Sequence, residues 1–458
     1  MTQVNSKSAP LKPLLVGLLG IGTVGTGVFN VLQRNQGEIM RRAGRAIEIS
    51  MVADLDTARA QAAVGPDVKV VADARAVIAN PDIDIVIELI GGYGIAKQLV
   101  LEAIEAGKHV VTANKALLAV HGTEIFAAAS RKGVMVAFEA AVAGGIPIIK
   151  ALREGLSANR IEWIAGIING TTNFILSEMR DKGLDFDAVL KQAQALGYAE
   201  ADPTFDIEGV DAAHKVTLMS AMAFGVPVQF DKAYIEGITQ LGAQDIKYAE
   251  QLGYRIKLLG ITKLRQADAS KKTGEGIELR VHPCLVPAKR LIANVEGAMN
   301  AVMVHGDAVG TTLYYGKGAG SEPTASAVIA DLVDIARLHQ ADAFHRVPHL
   351  AFQPDSLGDT PLLAMGDVVT SYYLRLTVAD EAGVLANVTG ILAALNISID
   401  AVLQREADEV GGEGATQTDL IILTHDCVES SMNQALVQMQ GLSTVLAPIT
   451  RIRKEELA

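Results

Sequence analysis

The sequence predicts an α/β protein in three parts: a doubly wound parallel sheet, an α+β unit, and a βαββαβ sandwich at the carboxyl end. Three observations carry that prediction. Short apolar β-type runs alternate with helical ones over residues 14–142, as in LLVGLLG, IEISMVADLD, IDIVIELIGG and HVVTANK; strands that are apolar throughout belong to a parallel sheet covered on both faces. Longer helices such as FDAVLKQAQALGYAE, mixed with strands near IEWIAGIING and IELRVHPCLVP, then replace this rhythm over residues 145–305. After a stretch punctuated by Pro348, Pro354 and Pro361, the runs YYLRLTVAD, GVLANVTGILAALN, ISIDAVLQREA, TDLIILTHD, SSMNQALVQMQGL and VLAPITRIRK give the order βαββαβ. VGGEGA near Gly411 reads as a hairpin tip.

Size and charge fit this division. A chain of 458 residues is expected to hold about two to four domains. The boundaries are placed at 1–144 for a nucleotide-binding domain, 145–320 for a substrate-binding and dimerisation domain, 321–345 for a helix returning to the first domain, 346–370 for a linker, and 371–458 for the sandwich. A net charge of −12 argues against a nucleic-acid or anionic-membrane surface, which needs a concentrated basic footprint. Two cysteines, Cys284 and Cys427, are too few for a disulfide scaffold, and the N-terminus lacks a signal-peptide core, so a cytoplasmic location is expected. No stretch reaches the ~18 uninterrupted apolar residues of a membrane span.

Gly20-Ile21-Gly22-Thr23-Val24-Gly25 follows the first strand and opens a helix, the context in which GxGxxG marks a Rossmann dinucleotide site. The first glycine allows the tight turn, the second lets a pyrophosphate approach the backbone, and the third lets helix and strand pack closely. The phosphates then rest on free N–H groups at the helix N-terminus. Asp54, ending the second strand, is placed to bind a ribose 2′-hydroxyl and disfavour a 2′-phosphate, whereas Arg59 and the Arg41/Arg42 pair could meet such a phosphate. NAD and NADP both stay open, and Asp54 could instead cap a helix.

Thr112-Ala113-Asn114-Lys115 ends a strand at the carboxyl edge of the sheet, where open α/β folds bind ligands. Within 197–215, GYAEADPTFDIEGVDAAHK, acidic residues crowd a turn that leads into a helix, and Asp211 and Lys215 share a face four residues apart. That spacing reads either as an ion pair or as a working set in which carboxylates bind an ammonium group while a lysine delivers a proton to a developing oxyanion. Asn169-Gly170-Thr171-Thr172-Asn173 could contact substrate through amides and hydroxyls, or cap a helix through Thr172 or Asn173. His214, His282, His305 and His349 are scattered and read as structural, and Cys284 as a packed thiol.

The segments GLLGIGTVGTGV, TANKALLA, EAAVAGGIPII, NGTTNFIL, GYAEADPTFDIEGVDAAHK and GAGSEPTASAV together resemble homoserine dehydrogenase, and the terminal βαββαβ with DEAGVL resembles an ACT domain. The resemblance implies reversible NAD(P)-dependent hydride transfer between L-homoserine and L-aspartate 4-semialdehyde, on the route to threonine, methionine and isoleucine. It implies Lys215 as proton donor and acceptor, Lys115 at both substrate and nicotinamide, and Glu200 and Asp211 at the amino-acid end with Asp206 nearby. Gly197 and Gly320 would line the cofactor. Backbone oxygens of Glu139, Val142, Gly144 and Ile146 would hold sodium or potassium; an AGGIP turn after a buried strand exposes carbonyls suited to a hard cation. It further implies a homodimer or homotetramer and threonine as an effector near 380–387, although Ala382 stands where the family usually has proline. Two rivals remain: a thiolate-dependent enzyme such as aspartate-semialdehyde dehydrogenase, and a non-catalytic amino-acid sensor.

Overall fold

The computed structural model describes residues 11–267, 274–404 and 416–457. The hairpin tip expected near Gly411 lies outside them. Strands β1 (Leu14–Leu19), β2 (Ile47–Ala53), β3 (Lys69–Val71), β4 (Ile85–Glu88), β5 (His109–Thr112) and β6 (Val136–Ala137) form a parallel sheet in the order β3-β2-β1-β4-β5-β6. Each residue of β4 and β5 is buried, as a sheet with two covered faces requires. One face packs on the helices Thr23–Arg34, Gln36–Ala43, Thr57–Val64 and Ser321–Leu338, and the other on Gly94–Glu105 and Lys115–Lys132. The helix Ser321–Leu338 therefore returns to the first sheet from far along the chain. β3 and the helix Ala74–Ile78 are additions to the sequence reading; segments this short show no period.

The second sheet is mixed. Its strands are β7 (Ile161–Ile167), β8 (Tyr234–Ile235), β9 (Tyr254–Arg265), β10 (Gly276–Pro287), β11 (Met299–Gly306), β12 (Gly310–Lys317), β13 (Val369–Ala379), β14 (Ile399–Gln404), β15 (Gln417–Thr424), β16 (Cys427–Val428) and β17 (Thr450–Lys454). The main path runs β12-β11-β7-β9-β10-β17-β13-β15-β14, with β8 beside β10 and β16 beside β13. The expected βαββαβ is present, but it is not separate from the α+β part. β17 pairs in parallel with β10, Cys284 facing Arg453, and antiparallel with β13, so one sheet crosses from the α+β part into the sandwich. The proline-bearing stretch is also tied down, because Ile277 N donates to Pro361 O at 2.8 Å and Leu363 N to Ile277 O at 2.8 Å.

Buried ion pairs close the joint. Arg453 of β17, with no exposed side-chain surface, meets Glu429 Oε1 at 2.5 Å and Glu236 Oε2 at 2.8 Å. Arg280 of β10 joins Glu278 at 2.8 Å and Glu455 at 2.7 Å. Buried charges at this density are tolerated only when each is paired and hydrogen-bonded.

The helix Val210–Phe224 is the centre of the α+β part, buried from Asp211 through Ala223. Gly260 on β9 is the reason it lies so close: a Cβ there would come within 2.9 Å of Ile168 Cδ1 and 3.2 Å of Val216 Cβ. Among the described residues no helix is long and apolar enough to cross a membrane.

Candidate active site

The glycine turn has the backbone geometry that its spacing predicts. Gly20 has φ +89°, and a Cβ on it would lie 2.9 Å from the Leu89 carbonyl. A Cβ on Gly25 would lie 2.4 Å from the Gly20 carbonyl, so helix and strand touch there. Gly22 faces open space, the side from which a pyrophosphate reaches the helix N-terminus. Ile21, Thr23 and Val24 complete the turn, and Val24 reaches the second cavity described below.

Asp54 is not a helix cap; Asp56 takes that role by accepting from Arg59 N. Asp54 Oδ2 instead accepts from Ile21 N at 2.9 Å and lies 3.3 Å from Arg59 Nη2. Burial pushes its carboxyl up, yet the N–H groups of Ile21 and Asp56 and the Arg59 guanidinium outweigh that and hold it below the usual range. Asp54, Arg59 and Arg75 line a cavity of about 430 Å³ with Gly20 and Gly22. Arg41 and Arg42 do not line it; both pair with Glu38 on the surface.

A second cavity, of about 570 Å³, extends from Val24 to Lys215. Lys115 reaches it from the first turn of its helix, which Asn114 caps by accepting from Leu117 N while donating to Gly92 O. Lys215 reaches it from the helix Val210–Phe224, donating to Ile168 O at 2.7 Å and to Asp211 Oδ2 at 2.6 Å. Lys115 Nζ lies 3.1 Å from the other oxygen, Oδ1. Asn169 Nδ2 donates to Asp206 Oδ1 at 2.7 Å and to Asp211 Oδ2 at 2.9 Å, so its amide serves the two carboxylates. It is also the helix cap expected at Thr172 or Asn173: Asn169 Oδ1 accepts from Thr172 N, and both later residues lie inside the helix.

The electrostatics follow from this crowding. Burial presses the Lys215 amine below the usual lysine range and Lys115 adds to that, against the opposing pull of Asp211. Asp211 keeps Lys115 high despite burial. The two lysines in turn hold the Asp211 carboxyl well below the usual range against its own burial. Asp206 is pushed up by burial and by its neighbour Asp211.

Gly197, with φ +75°, and Gly320, with φ +130°, also line this cavity. Glu200 is the exception among the predicted catalytic and substrate residues. It is exposed on the preceding loop and outside the lining, acting on Lys115 only through charge. The 139–146 turn lies beside the cavity, lining it through Ala140, Ala141, Ala143 and Gly144. Glu139 Oε1 and Oε2 accept from Ile149 N and Lys150 N, and burial pushes this carboxyl up to about 7.

The remaining groups stay structural. His214 lies between the rings of Phe205 and Phe230, His305 stacks on Trp163, and His349 on Phe126. His282 is buried against Arg280. Burial pushes the thiols of Cys284 and Cys427 up, the latter to about 12, so neither is poised as a thiolate.

A glycine turn that opens a helix beside a cavity with a buried, destabilised lysine ammonium is the apparatus of a nicotinamide-dependent oxidoreductase. Comparisons with known proteins narrow the class. Residues 147–333 match the family described as homoserine dehydrogenase, residues 20–139 its NAD binding domain, and residues 372–436 the ACT domain. A homoserine dehydrogenase of Pseudomonas aeruginosa is 58% identical over 98% of this chain and 100% of its own length. One of Neisseria gonorrhoeae is 57% identical with the same coverage. A homoserine dehydrogenase crystal structure from Thiobacillus denitrificans superposes with a TM-score of 0.91 at 61% identity, covering 98% of this chain and 100% of that one. The chain belongs to the homoserine dehydrogenase family.

Proposed function

We propose that the chain interconverts L-homoserine and L-aspartate 4-semialdehyde, with Lys215 as the group that moves the proton. The observation that carries this is the burial of Lys215 between Asp211 and the Ile168 carbonyl, in the cavity that also reaches the glycine turn. The residues Gly20 to Gly25, with Gly197 and Gly320, would hold NAD(P), which would accept or donate the hydride. In oxidation, neutral Lys215 takes the hydroxyl proton of homoserine; in reduction, its ammonium returns that proton to the oxygen as charge develops there. Lys115 adds positive charge near the same oxygen. Asp211 and, from the exposed loop, Glu200 receive the substrate ammonium, with Asp206 beside them as a polar support. The raised thiols disfavour covalent aldehyde oxidation at cysteine, which needs a thiolate. Turnover on homoserine with NAD and NADP side by side tests the reading, and absence of turnover with both would overturn it.

Three finer points belong to the same reading. The carbonyls of Glu139, Val142, Gly144 and Ile146 hold a monovalent cation, a hard ion that takes oxygen ligands; Gly144, with φ +50°, lies in this turn, and the Ile146 carbonyl also accepts from Ile148 N. Turnover in sodium, potassium or a bulky organic cation checks this, and equal rates in all three would count against it. The sandwich binds threonine near 380–387, Ala382 notwithstanding; kinetics unchanged in millimolar threonine would remove that role. The chain assembles as a homodimer or homotetramer in the cytoplasm, which the largely exposed edge strand β14 favours, since an open edge seeks a partner. A monomeric mass by light scattering would contradict the assembly.

A further inference from the structure

Asn300 is a buried amide of the second cavity without a hydrogen-bond partner among the described residues. It lies in β11 opposite Gly316 of β12, only 1% of it is exposed, and it lines the same space as Lys115, Asp211 and Lys215. Neither its Oδ1 nor its Nδ2 makes a hydrogen bond among the described residues. Other buried amides nearby are fully used. Asn169 serves Asp206, Asp211 and Thr172. Asn173 donates to the carbonyls of Val295, Gly297 and Met299 and accepts from Lys257. A buried amide left without partners is costly, and such groups are rare unless they have a task.

The surrounding chain is built to admit this side chain. A Cβ on Gly318 would fall 2.2 Å from Asn300 Cγ and Nδ2, so no larger residue fits at 318 while the amide keeps its place. His214 offers a contrast: its ring nitrogens are equally unpartnered, but Phe205 and Phe230 close over the ring and it does not line the cavity. Asn300, by contrast, lies among the charged groups of the site.

We propose that Asn300 is a ligand-recognition residue, its Oδ1 accepting from and its Nδ2 donating to a ligand group that carries a donor and an acceptor side by side. Two parts of the ligands have that chemistry: the carboxamide of the nicotinamide ring and the ammonium–carboxylate end of the amino acid. The inference rests on the reading of this cavity as the joint site of substrate and cofactor.

Asn300→Leu tests it, because leucine keeps the branched shape and removes both polar atoms. The unliganded protein loses no hydrogen bond, so its Tm holds or rises, while affinity for one ligand falls about ten-fold or more. Fluorescence titration with NADH and NADPH reads the cofactor arm, and KM for homoserine at saturating cofactor reads the amino-acid arm. A loss confined to the first assigns the carboxamide, and a loss confined to the second assigns the amino-acid end. Asn300→Ser, which shortens the reach without adding volume, is expected to show the same loss, and serves if the leucine variant does not fold. Both affinities within two-fold of the parent would overturn the proposal, as would a fall in Tm with unchanged affinities. Lys215→Ala, measured in parallel, separates the two failures. If it keeps turnover, the reading of the cavity falls; if it loses turnover while the Asn300 variants bind both ligands normally, only the role of Asn300 falls.

Discussion

Lys115 and Lys215 meet the two oxygens of one carboxylate, the first 3.1 Å from Asp211 Oδ1 and the second 2.6 Å from Oδ2. One buried anion thus fixes two ammonium groups that come from helices far apart in the chain. Asp211, with the Ile168 carbonyl, holds Lys215 in place, and its charge opposes the burial that presses the lysine to give up its proton.

Asp211→Asn keeps the shape and removes the charge that opposes burial at Lys215. The lysine loses its largest upward influence, so its pKa falls further. The rising limb of the pH profile for homoserine oxidation, which needs neutral Lys215, should move to lower pH. A limb that stays in place or moves up would show that another group sets it.

Lys215→Ala should lower kcat by about 10²–10⁴ in both directions while leaving cofactor affinity near that of the parent. Lys215→Arg should not restore oxidation, since a guanidinium cannot become neutral in the working range. Stopped-flow turnover together with NADH titration checks both expectations. Near-parental turnover in either variant would remove Lys215 from its assigned role.

Asp54→Asn should shift cofactor choice toward NADP. The change frees Arg59, now paired with Asp54, to meet a 2′-phosphate, and removes the carboxylate that would repel it. The NADP-to-NAD ratio of kcat/KM is expected to rise about ten-fold, worth about 1.4 kcal/mol. An unchanged ratio would mean that neither residue reads the ribose.

Glu429→Gln should weaken the joint around β17 at neutral pH and matter little in acid. Burial pushes the Glu429 carboxyl up, but Arg453 and Arg451, with the Tyr372 hydroxyl, hold it below the usual range. A depressed carboxyl stabilises the fold above its unfolded pKa of about 4.3, and that contribution is lost as pH falls through the folded value. The Tm gap between parent and variant should therefore be widest near pH 7 and close below about pH 4. A gap independent of pH would assign the loss to packing.

Local spacing made part of this protein readable from sequence. Gly20, Gly22 and Gly25 each have a reason that can be stated from neighbours in the chain, and the alternating apolar runs gave the parallel sheet. Lys115 and Lys215 were brought together only by the family resemblance, because no periodicity relates residues on separate elements. β9 and β11 escaped because buried polar groups such as Lys257, Thr262 and Asn300 interrupt the apolar pattern that marks a strand. The cap at Asn169 was missed by a few residues, a matter of which polar side chain reaches Thr172 N first. Glu200 came from the family resemblance, and its exposed place on the loop, outside the cavity lining, could not be read from acidity within a turn, which says nothing about which side chains point inward. The orphaned amide of Asn300 could not be read at all, since having no partner is a property of the assembled cavity.

The pairing of β17 with β10 has a consequence for how the protein is made. During synthesis, β10 leaves the ribosome well before β17, and until β17 arrives its outer edge has no lasting partner along Cys284 and Leu285. A nascent chain in that interval carries an unprotected apolar ledge, a ready template for mispairing with another copy. Shortening the coding sequence before β17 would therefore do more than delete the last strand of the sandwich, because the remainder would keep that sticky edge for its whole lifetime.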